Sequence, residues 1–238
     1  MFVHYRTLGI ILKKEDQGEA DQIFTIFTKN FGKLKILGKA IRKIKSKLRA
    51  GIQPFYLSEI EFIQGKTHKT LTDTILIEKF QNIRKDLDKL EIASKIAEVL
   101  DSLVKGEEAD EEIWKLVLET FKELDKHSSS SLPYFLIYHY FLWNFLSILG
   151  YMPELKNCPL CQKKLIPTNI YFSPEQGGVV CGDCLKKKGE KINPEIIKIL
   201  RILIKRDWSI LSKLKIKPEY EKDLEKVSED YLSYFSNV

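Results

Sequence analysis

The sequence predicts an α+β protein: a five-stranded N-terminal β-barrel of the OB type, then an α-helical domain with an inserted four-cysteine zinc ribbon. Three observations support this prediction. Residues 1–80 contain five short apolar or alternating runs separated by glycine-marked turns. From residue 81 onward, apolar residues recur at three- and four-residue steps, which is typical of amphipathic helices. All four cysteines lie in two C-x-x-C pairs late in the chain.

The predicted barrel occupies residues 1–80. Its strands are expected in residues 7–12, 22–28, 33–37, 55–63 and 70–80. They are rich in β-branched and aromatic residues, and the third alternates strictly between polar and apolar positions. Five short strands of this kind favour a closed Greek-key barrel of the OB type. Such barrels often bind single-stranded nucleic acid.

Positive charge is concentrated in this predicted barrel. The chain has a formal net charge of +6, and residues 1–80 alone carry 15 lysines and arginines against 8 acids. Eight of these cations follow one another from residue 33 to residue 49 with no acid among them. They are Lys33, Lys35, Lys39, Arg42, Lys43, Lys45, Lys47 and Arg49. Such a run predicts DNA binding through phosphate contacts, although lysines also protect exposed strand edges.

Two further features of the barrel have alternative interpretations. Aromatic residues could stack on bases, but each is better explained as a core residue, and none is assigned to a site. They are Phe2, Tyr5, Phe31, Phe55 and Tyr56. An acidic cluster could hold Mg²⁺ in a nuclease, but a turn between the first two strands explains it equally well. Its members are Glu15, Asp16, Glu19 and Asp21.

Residues 81–150 and 193–238 are predicted to form a helical bundle. Apolar positions from Ile83 to Val104, and again from Ile113 to Leu124, predict two amphipathic helices. The stretch between Pro133 and Gly150 is apolar nearly all round. Because tyrosines, a histidine and an asparagine interrupt it, we predict a buried central helix rather than a membrane span.

The C-terminal part of the bundle has clear helix start signals. Asn193 is predicted to cap a helix that has Pro194 at its first position, and Pro218 is predicted to open the last helix. His139, in the apolar stretch described above, is expected to be a core or interface histidine rather than a metal ligand.

The cysteine pairs predict one metal site, in a ribbon at residues 151–192. The ligands are Cys158, Cys161, Cys181 and Cys184, and 19 residues separate the pairs. This spacing suits a tetrahedral zinc ion held by four thiolates. Disulfides would require an oxidising compartment, whereas the N-terminus has no signal-peptide pattern, so we expect a cytoplasmic protein. Four protein ligands leave no position for substrate, so the zinc is predicted to be structural.

No catalytic motif accompanies these features. The chain has no G-x-x-x-x-G-K-[ST] loop and no H-E-x-x-H, and no H-x-E precedes the cysteine pairs. The four histidines are scattered. We therefore predict a binding protein and not an enzyme. Two alternatives remain: a metal-dependent nuclease that uses the acids of residues 15–21, and an RNA-binding zinc-ribbon protein.

Two stretches around the cysteines resemble the signature of the RecO family of bacterial recombination mediators. They are GYMPELKNCPLC at 150–161 and FSPEQGGVVCGDC at 172–184. The N-terminal part resembles the family at scattered positions: Gly18, Glu19, Asp21, Thr28, Gly32, Lys33, Gly38, Arg42, Ser46, Lys47, Gln53, Pro54 and Phe55. The chain departs from the family at Lys14 and Gln17, where an arginine and a tyrosine are expected.

The resemblance implies a DNA repair and recombination mediator with an OB-fold, a helical domain and a zinc ribbon. It implies binding of single- and double-stranded DNA and annealing of complementary strands. It also implies a complex with RecR that helps RecA load onto DNA coated with single-strand-binding protein, and contact with the acidic C-terminal tail of that protein. Association with the nucleoid follows. We also expect secondary DNA contacts from the ribbon lysines Lys163, Lys164, Lys186, Lys187 and Lys188.

Overall fold

Five strands form a closed barrel, as the sequence predicts. They are β1 (His4–Gln17), β2 (Asp21–Thr28), β3 (Gly32–Gly38), β4 (Leu57–Gln64) and β5 (Lys69–Glu78). The order around the barrel is β1-β2-β3-β5-β4. All pairs are antiparallel except β3 with β5, where Ile36 lies opposite Lys69. The computed structural model that shows this describes residues 3–185 and 190–236.

Strand β1 is longer than predicted because it pairs with two neighbours. Its first half pairs with β4 and its second half with β2, and the register with β2 shifts between Ile11 and Lys13. The predicted turn at residues 15–21 is therefore shorter than expected. Glu15 and Asp16 lie within β1, and Gly18 turns the chain with a φ of 62°.

Three helices pack onto the barrel. They are α1 (Gln81–Lys85), α2 (Leu87–Leu103) and α3 (Glu111–Lys126). The first predicted helix is split because the Asp86 carboxylate accepts hydrogen bonds from the N–H groups of Asp88 and Lys89 and caps α2. Leu87 is one of the apolar positions of the helix predicted from Ile83 to Val104, but it is the first residue of α2 and is 82% exposed.

Aromatic contacts attach these helices to the barrel. The rings of Phe27 and Trp114 lie 6.1 Å apart, as do those of Phe55 and Phe121. The compact units of the chain are accordingly Met1–His127, which includes α1 to α3, and Ser128–Val238. The predicted domain boundaries near residues 80, 150 and 192 were placed where the sequence pattern changes, and they remain predictions.

The second unit combines helices with a small sheet. In chain order its elements are α4 (Tyr134–Ile148), β6 (Ile170–Ser173), β7 (Gly178–Cys181), α5 (Gly182–Leu185), β8 (Glu190–Lys191), α6 (Pro194–Leu203), α7 (Trp208–Leu211) and α8 (Pro218–Ser236). Helices α6 and α8 begin at the predicted prolines, and the Asn193 side chain accepts a hydrogen bond from the N–H of Glu195. The sheet has the order β7-β6-β8.

Helix α4 is the buried centre of this unit. Trp143 Nε1 donates a 3.0 Å hydrogen bond to Ser228 Oγ on α8, and Asn144 Nδ2 donates one of 2.9 Å to the Leu203 carbonyl on α6. His139 is 3% exposed and lies edge-on to Tyr138. Among the helices of the described residues, none is both long and apolar enough to cross a bilayer.

Candidate nucleic-acid interface and metal centre

The connector between β3 and β4, residues 39–56, is held to the barrel by its apolar residues. We call it the basic connector. Ile41 and Ile52 are each 1% exposed and belong to the barrel core. Leu48 packs against the same cluster from a 3-10 turn at Lys47–Ala50. The backbone is thus placed by buried side chains, although most of the connector has no regular secondary structure.

Polar contacts fix the two ends of the basic connector. The Ala40 N–H donates a 2.6 Å hydrogen bond to Asp21 Oδ1, and Ser58 Oγ donates one of 2.5 Å to the Gly51 carbonyl. A Cβ on Gly51 would lie 2.4 Å from Thr74 Oγ1, so a glycine is required where the connector crosses β5. Substitutions at these positions are therefore expected to displace the connector.

Most of the predicted DNA-binding cations project from this segment into solvent. Lys35 on β3 is exposed, and so are five cations of the connector. Those five are Lys39, Lys43, Lys45, Lys47 and Arg49. No carboxylate among residues 3–185 and 190–236 forms an ion pair with any of the six. Because the apolar residues take the inward positions, the cations are left on the outer surface.

The other two predicted cations have protein partners. Lys33 Nζ lies 3.0 Å from Asp101 Oδ1 and also contacts the Asp101 carbonyl, which ties β3 to α2. Its side chain is only 17% exposed. Arg42 lies 3.2 Å from Asp16 Oδ2 and 3.4 Å from the Gly18 carbonyl. A phosphate would have to displace these partners, so the two residues differ from the other six.

The acids of residues 15–21 do not assemble into a metal site. Glu15 pairs with Lys13 at 2.5 Å, and its pKa is lowered by the hydrogen bond from that lysine. Asp16 and Asp21 are bound to Arg42 and to the Ala40 N–H. Within the described part of the chain, the four cysteines are the only group of three or more suitable residues whose ligand atoms converge.

The barrel aromatics are packing residues, as expected. Tyr5 and Phe31 pack against Phe62, with ring centroids 5.4 and 5.7 Å away. Phe55 is 6% exposed, and the guanidinium of Arg84 lies over the ring of Tyr56 at 5.1 Å. Phe2 lies outside the described residues. These rings support the barrel, and a base-stacking role is not needed to explain them.

The four cysteine side chains converge at one point. All four Sγ atoms lie within 4.8 Å of one another, and those of Cys161 and Cys181 are 3.8 Å apart. A tetrahedral zinc ion with ligand distances of about 2.3 Å separates its sulfur ligands by about 3.8 Å. The arrangement therefore fits one tetrahedral ion. Cys158 is buried, whereas the other three thiols are half-buried.

Two tight turns place the cysteine pairs. In the first, the Cys158 N–H donates to the Lys163 carbonyl and the Gln162 N–H donates to the Cys158 carbonyl, at 2.9 and 2.8 Å. In the second, a Cβ on Gly182 would lie 2.0 Å from the Asn169 side chain, so a larger residue would have to displace that side chain. The hairpin between β6 and β7 turns at Gly177, which has a φ of 69°.

The thiols differ in acidity. Burial of Cys158 disfavours its thiolate, but the backbone N–H groups of Cys181, Cys161 and Leu160 outweigh this and lower the pKa of Cys158 to about 6. The Cys184 thiol is hydrogen-bonded to Cys181 and Cys161, which raises its pKa to about 12. Metal binding requires thiolates and releases their protons, so a cation is the natural partner of this crowded cluster.

Comparisons with known proteins agree with this architecture. The family model described as "Recombination protein O N terminal" matches residues 1–80, and the one described as "Recombination protein O C terminal" matches residues 84–235. The chain belongs to the RecO family. A "DNA repair protein RecO" from a strain of Dehalococcoides mccartyi is 35% identical over 222 residues, which cover 93% of this chain and 86% of that protein.

Other RecO relatives are similar over most of their length. The protein of the same name from Thermoanaerobacter sp. is 31% identical over 230 residues, covering 95% of this chain and 90% of the relative. The one from Acetivibrio thermocellus is 32% identical over 231 residues, covering 96% and 90%.

Several residues that carried the RecO resemblance have packing roles. Gly32 has a φ of 57°, and a Cβ there would lie 2.4 Å from the Glu108 carbonyl oxygen. A Cβ on Gly38 would lie 2.9 Å from the Phe24 ring. Sequence reasoning overlooked the connector anchors Ile41 and Ile52. An isolated isoleucine in a basic run is not a sufficient signal for an anchor, because Ile44 in the same run is 94% exposed.

Proposed function

We propose that this RecO protein is a DNA-binding recombination mediator in DNA repair, which binds single- and double-stranded DNA and anneals complementary strands. One observation carries the proposal: six exposed cations without carboxylate partners project from an OB-type barrel and its anchored connector. When protein cations replace the counterions condensed on DNA, binding is strong and its affinity falls as the salt concentration rises. A connector that is already ordered loses little conformational entropy on binding.

The proposed mechanism needs no covalent chemistry. Lysines such as Lys43, Lys45 and Lys47 neutralise phosphates and so reduce the repulsion between two strands. Contacts of this kind carry no base information, so binding has little sequence preference. Base pairing between the strands then provides the specificity of annealing.

The proposed partners follow from membership of the RecO family. They are RecR, the acidic C-terminal tail of single-strand-binding protein and, through loading onto coated DNA, RecA. The proposal places the protein in the cytoplasm, at the nucleoid. We propose zinc as the ion at Cys158, Cys161, Cys181 and Cys184, because their spacing and convergence suit a structural tetrahedral site.

Neutralising three connector lysines tests the proposal. The variant is Lys43→Gln, Lys45→Gln, Lys47→Gln, measured for affinity to single-stranded DNA across a salt series. Each lost phosphate contact lowers the salt slope by roughly 0.7, so a decrease of about 2 is expected. Annealing of strands coated with single-strand-binding protein should slow in parallel.

A matched control carries the same charge change elsewhere in the first unit. It is Lys95→Gln, Lys115→Gln, Lys122→Gln, at three positions on α2 and α3 outside the connector, where Lys115 and Lys122 are exposed and Lys95 is half-buried. This control should bind DNA like the wild type. The proposal is refuted if the connector variant keeps its affinity and salt slope. Cleavage of labelled DNA in Mg²⁺ would favour the nuclease alternative, and preferential binding of RNA in direct competition would favour the RNA-binding one.

A further inference from the structure

A second acid-poor basic segment lies in the second unit, at residues 198–217. It contains seven lysines and arginines and a single acid, Asp207. The cations are Lys198, Arg201, Lys205, Arg206, Lys213, Lys215 and Lys217. Helix α8, which follows directly, is rich in acids, so the net charge of the C-terminal region conceals this segment.

The end of this segment presents three lysines on one side. Between α7 and α8 the chain is irregular and exposes Lys213, Lys215 and Lys217, while the intervening Leu214 and Ile216 are half-buried. Lys213 lies in the turn that follows α7, where its N–H donates to the Ile210 carbonyl, and Lys215 and Lys217 follow in an irregular stretch.

The segment is anchored in the same way as the basic connector. The ring of Trp208 lies 3.9 Å from that of Tyr140 on α4, and Leu211 is 1% exposed. The Leu214 N–H donates a 3.0 Å hydrogen bond to the Leu211 carbonyl, which fixes the start of the exposed stretch. The lysines therefore project from a placed backbone.

These lysines have little competition from protein carboxylates. No carboxylate among the described residues forms an ion pair with Lys213 or Lys215. Lys217 lies 3.8 Å from Glu219, and its side chain is 72% exposed. An incoming anion can therefore reach all three ammonium groups.

We propose that Lys213, Lys215 and Lys217 bind the phosphates of a second DNA strand, distinct from the strand on the basic connector. Evenly repeated cations suit a ligand with evenly repeated anions. Each nucleotide of a DNA strand carries one negative phosphate, so three exposed lysines within five residues can neutralise several neighbouring phosphates. The inference rests on the proposed function and deepens it, because one chain that holds two strands raises their effective concentration for pairing.

Counting strands per chain tests the inference. The probe is a short oligo-dT, which cannot pair with itself, and native mass spectrometry reports how many strands one full-length chain binds. The wild type should bind two. The variant Lys213→Gln, Lys215→Gln, Lys217→Gln should bind one, keep its affinity for that strand within about twofold, and anneal complementary strands at least about tenfold more slowly. The Lys95, Lys115, Lys122 control should still bind two.

The outcomes separate this inference from the proposed function. A wild-type chain that binds only one strand, or a segment variant that still binds two, overturns the inference. If the connector variant loses DNA while the segment variant behaves like the wild type, the proposed function stands and only this inference fails. If the connector variant keeps its DNA affinity, the proposed function fails. A segment variant that keeps both strands but loses binding to a poly-glutamate peptide identifies a peptide site and also overturns the inference.

Discussion

The cysteine ribbon and the basic connector are both poor in regular structure, but they are fixed by opposite means. In the ribbon, polar ligand atoms point inward and converge within 4.8 Å. In the connector, apolar side chains such as Ile41 and Ile52 point inward and join the barrel core. The difference decides what each segment can present to a partner. The thiols of the ribbon face one another inside it, whereas the connector keeps its charged groups outside.

The ribbon also packs against helices of the second unit. The ring of Phe172, on β6, lies 6.2 Å from that of Trp143 and 5.4 Å from that of Tyr231. These two rings belong to the core of the second unit. Loss of the metal should therefore loosen the second unit, while the connector of the first unit has no direct dependence on it. The following predictions test this contrast, from the largest expected effect to the smallest.

Removing the metal ligands should have the largest effect. In the variant Cys158→Ser, Cys161→Ser, the ribbon loses the metal-coupled folding energy, which reaches about 10–16 kcal/mol in isolated zinc peptides. Hydrogen exchange should accelerate across residues 150–192 and the second unit should melt at lower temperature. Binding of a first oligo-dT strand should persist. If the variant lost first-strand binding while its melting temperature stayed the same, the contrast between the ribbon and the basic connector would be contradicted.

Removing a connector anchor should have the next largest effect. Ile52→Ala leaves a cavity in the barrel core and should cost about 2–5 kcal/mol in urea unfolding. It should also weaken DNA binding without any change in charge, because the cations lose their fixed backbone. The matched control is Ile44→Ala in the same connector. Ile44 is 94% exposed, so its removal should change stability by no more than about 0.5 kcal/mol. Equal costs for the two variants would contradict the anchoring.

Single lysine removals should distinguish ion-paired from solvent-facing cations. Lys43→Ala should lower the salt slope of DNA binding by roughly 0.7–0.9 and leave stability nearly unchanged. Lys33→Ala should do the reverse, since Lys33 joins β3 to Asp101. Losing this partly buried pair should cost about 1 kcal/mol. A salt series and a thermal melt of both variants provide the comparison. If only Lys33→Ala lowers the salt slope of DNA binding, the distinction between the ion-paired and the solvent-facing lysine is contradicted.

Acid should affect the barrel only weakly, through Glu61. Hydrogen bonds from Arg6, and then from His4 and Thr72, lower the pKa of Glu61 from 4.5 to about 2. A carboxyl with a lowered folded-state pKa stabilises the fold above its unfolded pKa, and this stabilisation is lost as pH falls towards the folded pKa. Barrel stability should therefore decline between pH of about 4.5 and about 2. Glu61→Gln should flatten that decline in a pH series of urea unfolding curves, and an unchanged slope would count against the network.

Local patterns predicted much of the structure. The β-strands follow from short β-branched runs, and the starts of α6 and α8 follow from their prolines. The main errors had non-local or competing local causes. The Asp86 carboxylate caps α2, so the single predicted helix is divided at this residue and Leu87 is exposed. The extra length of β1 depends on its two partner strands, which its own residues do not specify.

The sequence by itself determined the cysteine cluster and the barrel. Both depend on residue type and short spacing: two C-x-x-C pairs for the thiolates, and five short runs for the strands. Only the tertiary structure decided which of the eight predicted cations are available to DNA. The partner of Lys33 is Asp101, 68 residues away, and the anchors of the connector are set by a core drawn from all five strands. Ion pairing and burial depend on contacts between distant residues, which a run of charge cannot reveal.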